Sequence, residues 1–318
     1  MILITGSTGF IGRHLVARLL REDKRVRLLL PAHKVQNLPW DNPPEIVVGT
    51  LTDEETVFQA MNGVNTVIHL ESAQWWGTEK EMERLEVAGT RKLVEAARTA
   101  RVGRVIILSH LGATSASAYP LIRVKGKVEE IVRGSGLAYT IIRPGLVFGK
   151  EDAFFNHIAM LLNVNPVFFF MPGQGEVVLH PIYIDDLVEV LMQTLENIDT
   201  VDEAIDIGGP EYITLSDLIA TIMRVSGDYR TVVSIPPYLL RWLNSLSSLF
   251  VRRTLVTRQW LDVLATNRVA KIGTMPRYFD VNMHRLEDTL LTYLPEQNTF
   301  ADTVRYTFQR HPRSFKTD

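Results

Sequence analysis

Three glycines at a spacing of three, Gly6, Gly9 and Gly12, separate the apolar run Ile2–Thr5 from a stretch with helical periodicity, Leu15, Val16, Leu19 and Leu20. A strand that turns through glycines into a helix leaves backbone N–H groups and the positive end of the helix dipole facing one point, an arrangement that binds anions. Gly6 permits the tight turn out of the strand. Gly9 lets the backbone approach a pyrophosphate with no Cβ between them, and Gly12 lets the new helix pack close on the sheet. Thr8, Phe10, Ile11 and Arg13 fill the positions around these glycines and are expected to share the contact.

The elements that must position this turn follow from the pattern downstream. Apolar runs at Met1–Thr5, Val26–Leu30, Glu45–Val48, Thr66–Leu70, Arg104–Ser109 and Ala138–Arg143 show little alternation, as strands covered on both faces do. Periodic helical stretches separate them, and Gly63, Gly103 and Gly136 stand where helices end and strands begin. The expectation is an α/β fold: a doubly wound parallel sheet over residues 1–150, rejoined by residues 180–208. Residues 151–179 and 209–318 are expected to form a smaller, mostly helical lobe over the carboxyl ends of the strands.

The glycine spacing is G-x-x-G-x-x-G, and with Thr5 before it the segment resembles the extended and atypical branch of the short-chain dehydrogenase/reductase superfamily. Further motifs agree in order: Gly49–Asp53, Thr66–Leu70, Gly89-Thr90 with Leu93–Ala97, Arg104–Ser109, Tyr139–Gly145 ending in Arg143-Pro144, His180–Leu187 and Asp206–Pro210. The resemblance covers most of residues 1–225 and implies a bound nicotinamide dinucleotide, with Leu51, Leu70, Lys125 and Pro144 added to the glycine loop as cofactor contacts. The tail, from the Trp260-Leu261 segment to Asp288–Leu294, resembles the subgroup of the complex I nucleotide-binding accessory subunit, NmrA-like proteins and photosystem assembly factors. That subgroup implies tightly held NADP(H) and a structural, assembly or sensing role beside a protein partner or a membrane-associated complex.

The same resemblance implies a tyrosine acid/base, a lysine four residues later on one helix face, and a nearby serine. Lys125 takes the lysine position, which puts Leu121 in the tyrosine position. Tyr119 is the nearby tyrosine, but Pro120 follows it, so it is expected before the helix rather than on it. Ser109 is followed by His110 where a second serine is expected, and Glu86 replaces the usual asparagine. His110 and Glu86 have two readings, a substitute acid/base pair or plain polar replacements after catalysis lapsed. The alternative to a lapsed site is an active oxidoreductase or epimerase on a small carbonyl or sugar-nucleotide substrate, using Lys125, Tyr119, Ser109 and His110.

The second strand ends Leu30-Pro31-Ala32-His33-Lys34, without the acid that holds an NAD ribose. Arg13, His33 and Lys34 are placed for a 2′-phosphate, the other reading of His33 and Lys34 being solvated loop residues, so NADP(H) is favoured and NAD(H) is the other choice. His69 reads as a packed strand histidine. Asp185-Asp186 reads as charge at a helix start and not as a metal pair. Trp75-Trp76 has two readings, a pocket floor or a plug.

A net charge of −2 offers nothing to a polyanion, so no nucleic-acid partner is expected. The absence of cysteine excludes disulfides, thiolate catalysis and Cys-ligated zinc. With the first strand starting at Ile2, no signal peptide is expected, and no run reaches the about 18 apolar residues of a membrane span. These point to a cytoplasmic protein, with the periphery of a membrane as the other placement. In Tyr238–Arg253, Leu239, Trp242, Leu243, Leu246 and Phe250 share one helical face, which is expected to be buried in the lobe, with an interfacial membrane helix or a docking surface as the other reading.

Overall fold

Runs rich in valine, isoleucine and leucine that must hide both faces form a central parallel sheet in the computed structural model, which describes residues 1–36, 38–73, 75, 77–247, 254–296 and 300–308. Its strands are β1 (Ile2–Thr5), β2 (Val26–Leu30), β3 (Glu45–Val48), β4 (Thr66–His69), β5 (Arg104–Leu108), β6 (Tyr139–Pro144) and the strand Glu203–Ile207. The spatial order is Glu203–Ile207, β6, β5, β4, β1, β2, β3, and every pairing is parallel. β1 lies between β2 and β4, where the winding reverses, and ligands bind beyond the carboxyl ends of strands at such a switch point. Leu3, Ile4, Leu28, Ile68, Val105, Ile106 and Ile141 are fully buried in the middle of the sheet.

Helices cover both faces: α1 (Phe10–Arg21), the short α2 (Ala32–Val35), α3 (Glu54–Ala60), α4 (Glu79–Met82), α5 (Gly89–Thr99) and α6 (Pro120–Arg133). Local chemistry starts them. The Asp53 carboxylate caps α3 by accepting from the Thr56 backbone, and Thr78 with Glu81 makes a reciprocal capping box on α4. Between α4 and α5 the residues Glu83–Ala88 form a π-helix, a local widening common at functional sites.

The chain divides into two compact units. The first joins Met1–Pro144 with Ile184–Ile207, which holds α8 (Ile184–Glu196), and with Gly273–Asn282. Sequence pattern put that last segment with the helical lobe. Its backbone is instead held by polar side chains of the first unit, Asn197 Nδ2 donating to Tyr278 O at 2.7 Å and Gln193 Nε2 to Asp280 O at 2.7 Å. The second unit comprises Gly145–Tyr183, Gly208–Ile272 and Met283–Asp318. It contains α7 (Phe154–Val164), α9 (Leu215–Ser226) and α10 (Pro237–Ser247).

The segment after residue 209 is mostly helical and also contributes the strand Thr231–Ile235, paired in parallel with Phe168–Pro172. Their β-branched and aromatic residues suit a pleated surface. The expected burial of the α10 face is corrected: Leu239, Trp242 and Leu246 are exposed, and Arg241 pairs with Asp262 at 2.7 Å. The Leu243 side chain and Phe250, Arg252 and Arg253 lie outside the described residues.

Candidate functional site

β1 delivers the chain into the glycine turn, and each glycine has a steric reason. Gly6 has φ of +70°, and a Cβ there would stand 2.5 Å from the Leu70 carbonyl carbon, so neither the conformation nor the space admits a side chain. A Cβ on Gly12 would lie 2.4 Å from Gly6 O, which makes this residue the close contact between α1 and the turn. Gly9 differs: its Cβ would meet only Gly6 O, at 3.2 Å, and the residue is exposed. The first helical hydrogen bond is Arg13 N to Gly9 O at 3.0 Å, so the N–H groups of Phe10, Ile11 and Gly12 precede the ladder. No side chain caps α1 and its first turn holds no acid.

The fully buried Ser7 hydroxyl beside this turn has no hydrogen-bond partner among the described residues. Uncapped N–H groups, a glycine turn closed to any side chain and an orphaned hydroxyl fit the pyrophosphate of a dinucleotide.

Lys125 is another residue that the sequence marks as a cofactor contact. Its Nζ lies 2.7 Å from Glu86 Oε2, and both side chains are buried. Lys125 also donates to Ser72 Oγ at 3.2 Å, Ser72 donates to Glu86 Oε1 at 3.0 Å, and the Ala73 N–H donates to the same oxygen at 2.9 Å. Glu86 belongs to the π-helix and Ser72 follows β4, so these elements meet α6 at one polar knot. Leu121, one turn before Lys125, is fully buried and offers no proton. Tyr119 is the residue before α6, with extended φ and ψ of −87° and 119°, and Pro120 takes the first helical position.

The serine end of the site is organised by a residue that sequence reasoning missed. Ser109 Oγ donates to Glu129 Oε1 at 2.5 Å. Arg143, near the end of β6, grips the same carboxylate with Nε at 2.8 Å and Nη2 at 2.5 Å, and reaches Asp206 Oδ1 at 3.4 Å. Glu129 lies one turn beyond Lys125, so Leu121, Lys125 and Glu129 form one buried stripe of α6. A glutamate in register with a buried lysine was the available signal. His110 Nδ1 donates to Leu111 O at 3.0 Å, while Glu86 is engaged with Lys125.

His69 packs under the site. Its Nδ1 is 2.6 Å from Thr5 Oγ1 and its Nε2 is 2.9 Å from Thr90 Oγ1. Thr90 spends its proton on the Glu86 carbonyl at 2.5 Å, so Nε2 donates to Thr90 and Nδ1 accepts from Thr5. Burial, with a lesser contribution from the Lys125 charge, lowers the His69 pKa to about 3 and keeps the ring neutral.

The remaining expected contacts divide by environment. Leu70 backs onto Gly6, and its N–H donates to Thr5 O at 3.2 Å. Leu51 is buried against Gly89, and Pro144 O accepts from Leu111 N at 3.3 Å. Lys34 lies on α2, half-buried, and the Arg13 side chain is half-buried on α1. Asp185 Oδ1 is 3.4 Å from His14 Nδ1, and no cluster of metal-ligating side chains occurs among the described residues. Trp75 is half-buried, whereas Trp76 lies outside the described residues.

Comparison with known proteins agrees with this geometry. Residues 6–154 match the family described as NAD(P)H-binding. The chain is 27% identical over 262 residues to mitochondrial NADH dehydrogenase [ubiquinone] 1 alpha subcomplex subunit 9 of Mus musculus, a match covering 77% of this chain and 66% of that protein. It is 24% identical to the photosystem II assembly factor Ycf39 of Cyanophora paradoxa, covering 78% of this chain and 76% of that one. In fold it resembles a short-chain dehydrogenase/reductase superfamily protein from Agrobacterium tumefaciens solved with bound NAD, with a TM-score of 0.68, 20% identity and coverage of 96% and 97%. Over residues 6–154 the chain is thus similar to NAD(P)H-binding proteins, and its fold is that of the solved short-chain dehydrogenase/reductase protein.

Proposed function

We propose that this protein holds NADP(H) as a resident ligand and serves the assembly or integrity of a membrane-borne protein complex, its dehydrogenase chemistry having lapsed. The observation that carries this reading is the state of α6: Leu121 stands where a proton donor is needed, and Lys125 is committed to Glu86. A bound nicotinamide supplies a hydride carrier. Without a positioned acid next to it, carbonyl reduction loses roughly 10²–10⁴ in rate. The residues still suit binding. The α1 N-terminus takes the pyrophosphate, and Lys125, ion-paired with Glu86, has N–H groups beyond the one donated to Ser72 to offer a ribose hydroxyl. The lack of an acid after Leu30, with Lys34 and Arg13 nearby, supports NADP over NAD. The role beside a partner complex is supported by the two relatives, one a complex I subunit and the other a photosystem II assembly factor.

The test is to release and identify the nucleotide that co-purifies, then assay carbonyl reduction and epimerisation with wild type, Tyr119→Phe and Lys125→Ala. Stoichiometric NADPH or NADP, negligible turnover and weaker binding in Lys125→Ala support the reading. Turnover at ordinary enzyme rates that Tyr119→Phe abolishes with affinity intact overturns it and identifies an enzyme with a displaced tyrosine.

A further inference from the structure

The second unit exposes an apolar surface that its own packing does not use. Phe168 and Phe170 are 43% and 47% exposed, whereas Phe169 and Met171, which alternate with them along the strand, are buried. Val233 and Ile235 pair with Phe170 and Pro172, extending the Phe168–Phe170 face across both strands. Strand Thr231–Ile235 leads through Pro236 directly into α10. There Tyr238, Trp242 and Leu246, one helical turn apart, are 73%, 60% and 43% exposed. Isolated exposed apolar residues are ordinary, but aromatic rings exposed on consecutive elements point to an interaction surface.

The charge of the sequence that carries α10 points to its occupant, Arg252 and Arg253 being counted from the sequence alone because they lie outside the described residues. From Tyr229 to Leu261 the chain has no aspartate or glutamate and five arginines, 230, 241, 252, 253 and 258. Asp228 and Asp262 bound the stretch and pair with Arg230 at 3.2 Å and Arg241 at 2.7 Å. Counting both acids, the stretch keeps a charge of +3, five arginines less two aspartates, in a chain of net −2. The residues that lead to and form the other strand, Ala153 to Gly175, contain no aspartate, glutamate, lysine or arginine. Exposed tryptophan, tyrosine and phenylalanine carried on stretches of sequence without acids, one of them positive, complement an anionic lipid surface. Rings with polar handles sit at headgroup level, and each arginine near that surface gains attraction to acidic headgroups. At 11 residues, α10 is too short to cross a bilayer and suited to lying in its interface.

We propose that the Phe168–Phe170 strand face and the Tyr238–Trp242–Leu246 face of α10 dock this protein on an anionic bilayer. None of these residues belongs to the nucleotide-binding unit. The docking therefore stands or fails independently of what the dinucleotide does.

The experiment is co-sedimentation of the full chain with phosphatidylglycerol/phosphatidylcholine vesicles and with phosphatidylcholine vesicles alone, at low and high salt. Trp242→Glu and Phe170→Glu are compared with wild type, with NADPH affinity as the control for folding. Expected are binding to the anionic vesicles, weaker at high salt, and at least tenfold weaker binding in Trp242→Glu with NADPH affinity unchanged. Should Trp242→Glu lose NADPH binding, Phe170→Glu carries the comparison. Absence of binding to anionic vesicles overturns the proposal, as does equal binding by both variants. A drop from dimer to monomer in Trp242→Glu, measured by light scattering without vesicles, also overturns it, by showing the face to be a contact between copies of the chain.

Discussion

Lys125 Nζ and Glu86 Oε2 stand 2.7 Å apart in a buried setting, so the lysine that the sequence resemblance assigns to a nicotinamide ribose carries its own counter-ion. The substitution of glutamate for asparagine in the π-helix thus changes the electrostatics of the site. The charge that would lower a neighbouring tyrosine pKa is compensated, and no tyrosine occupies that helix face.

Breaking this pair from one side should cost more than removing both halves. Glu86→Gln leaves an uncompensated buried ammonium and is expected to lower stability by about 3–5 kcal/mol, whereas Glu86→Leu with Lys125→Met should cost less than either single change. A urea-denaturation cycle reads the coupling. Additive effects, with Glu86→Gln within about 0.5 kcal/mol of wild type, would show that the pair contributes nothing.

The glycines of the loop should separate binding from folding. The Cβ of Gly9→Val meets Gly6 O at 3.2 Å, a far looser contact than at Gly12, so the change is expected to cost less stability than Gly12→Ala while abolishing NAD(P)H binding by blocking the pyrophosphate. Gly12→Ala forces a Cβ to 2.4 Å from Gly6 O and should destabilise the protein itself. Fluorescence titration with NADPH beside a thermal melt distinguishes the two. Undiminished affinity in Gly9→Val would refute the assignment of the loop.

Selectivity should depend on Lys34. A charge-assisted contact to a 2′-phosphate contributes about 1.5–3 kcal/mol, so Lys34→Ala is expected to weaken NADPH by tenfold or more and leave NADH unchanged. Calorimetry with both nucleotides measures this, and an equal loss for both would remove Lys34 from the discrimination.

His69 should make the sheet sensitive to acid. Its folded pKa of about 3 lies below the ordinary value of 6.5, so its contribution is complete above pH 6.5 and is lost as pH falls from there towards 3. His69→Gln, which removes the titrating ring, is expected to flatten the stability profile over that window while costing stability at neutral pH through its altered hydrogen bonds to Thr5 and Thr90. Unfolding midpoints measured across that range decide the matter. An unchanged slope in the variant would show that the histidine does not titrate there.

Periodicity and glycine spacing determined the sheet, its helices and the anion-binding turn, because those features answer to local sterics and to the need to bury both faces of each strand. Pro120 alone determined that Tyr119 precedes α6, since proline excludes the helical conformation for the residue before it. Tertiary structure decided the partners. Glu86, Ser72 and Lys125 come from three separate elements, and only the π-helix packing beside α6 brings the carboxylate to the ammonium. Glu129 likewise gains its meaning from Arg143 on β6, a long-range pairing that no local periodicity encodes. The apolar stripe of α10 was legible in the sequence, but whether it faced the interior was not. The spacing of apolar residues along a helix gives the direction of a face, and only the packed fold determines what remains to cover it.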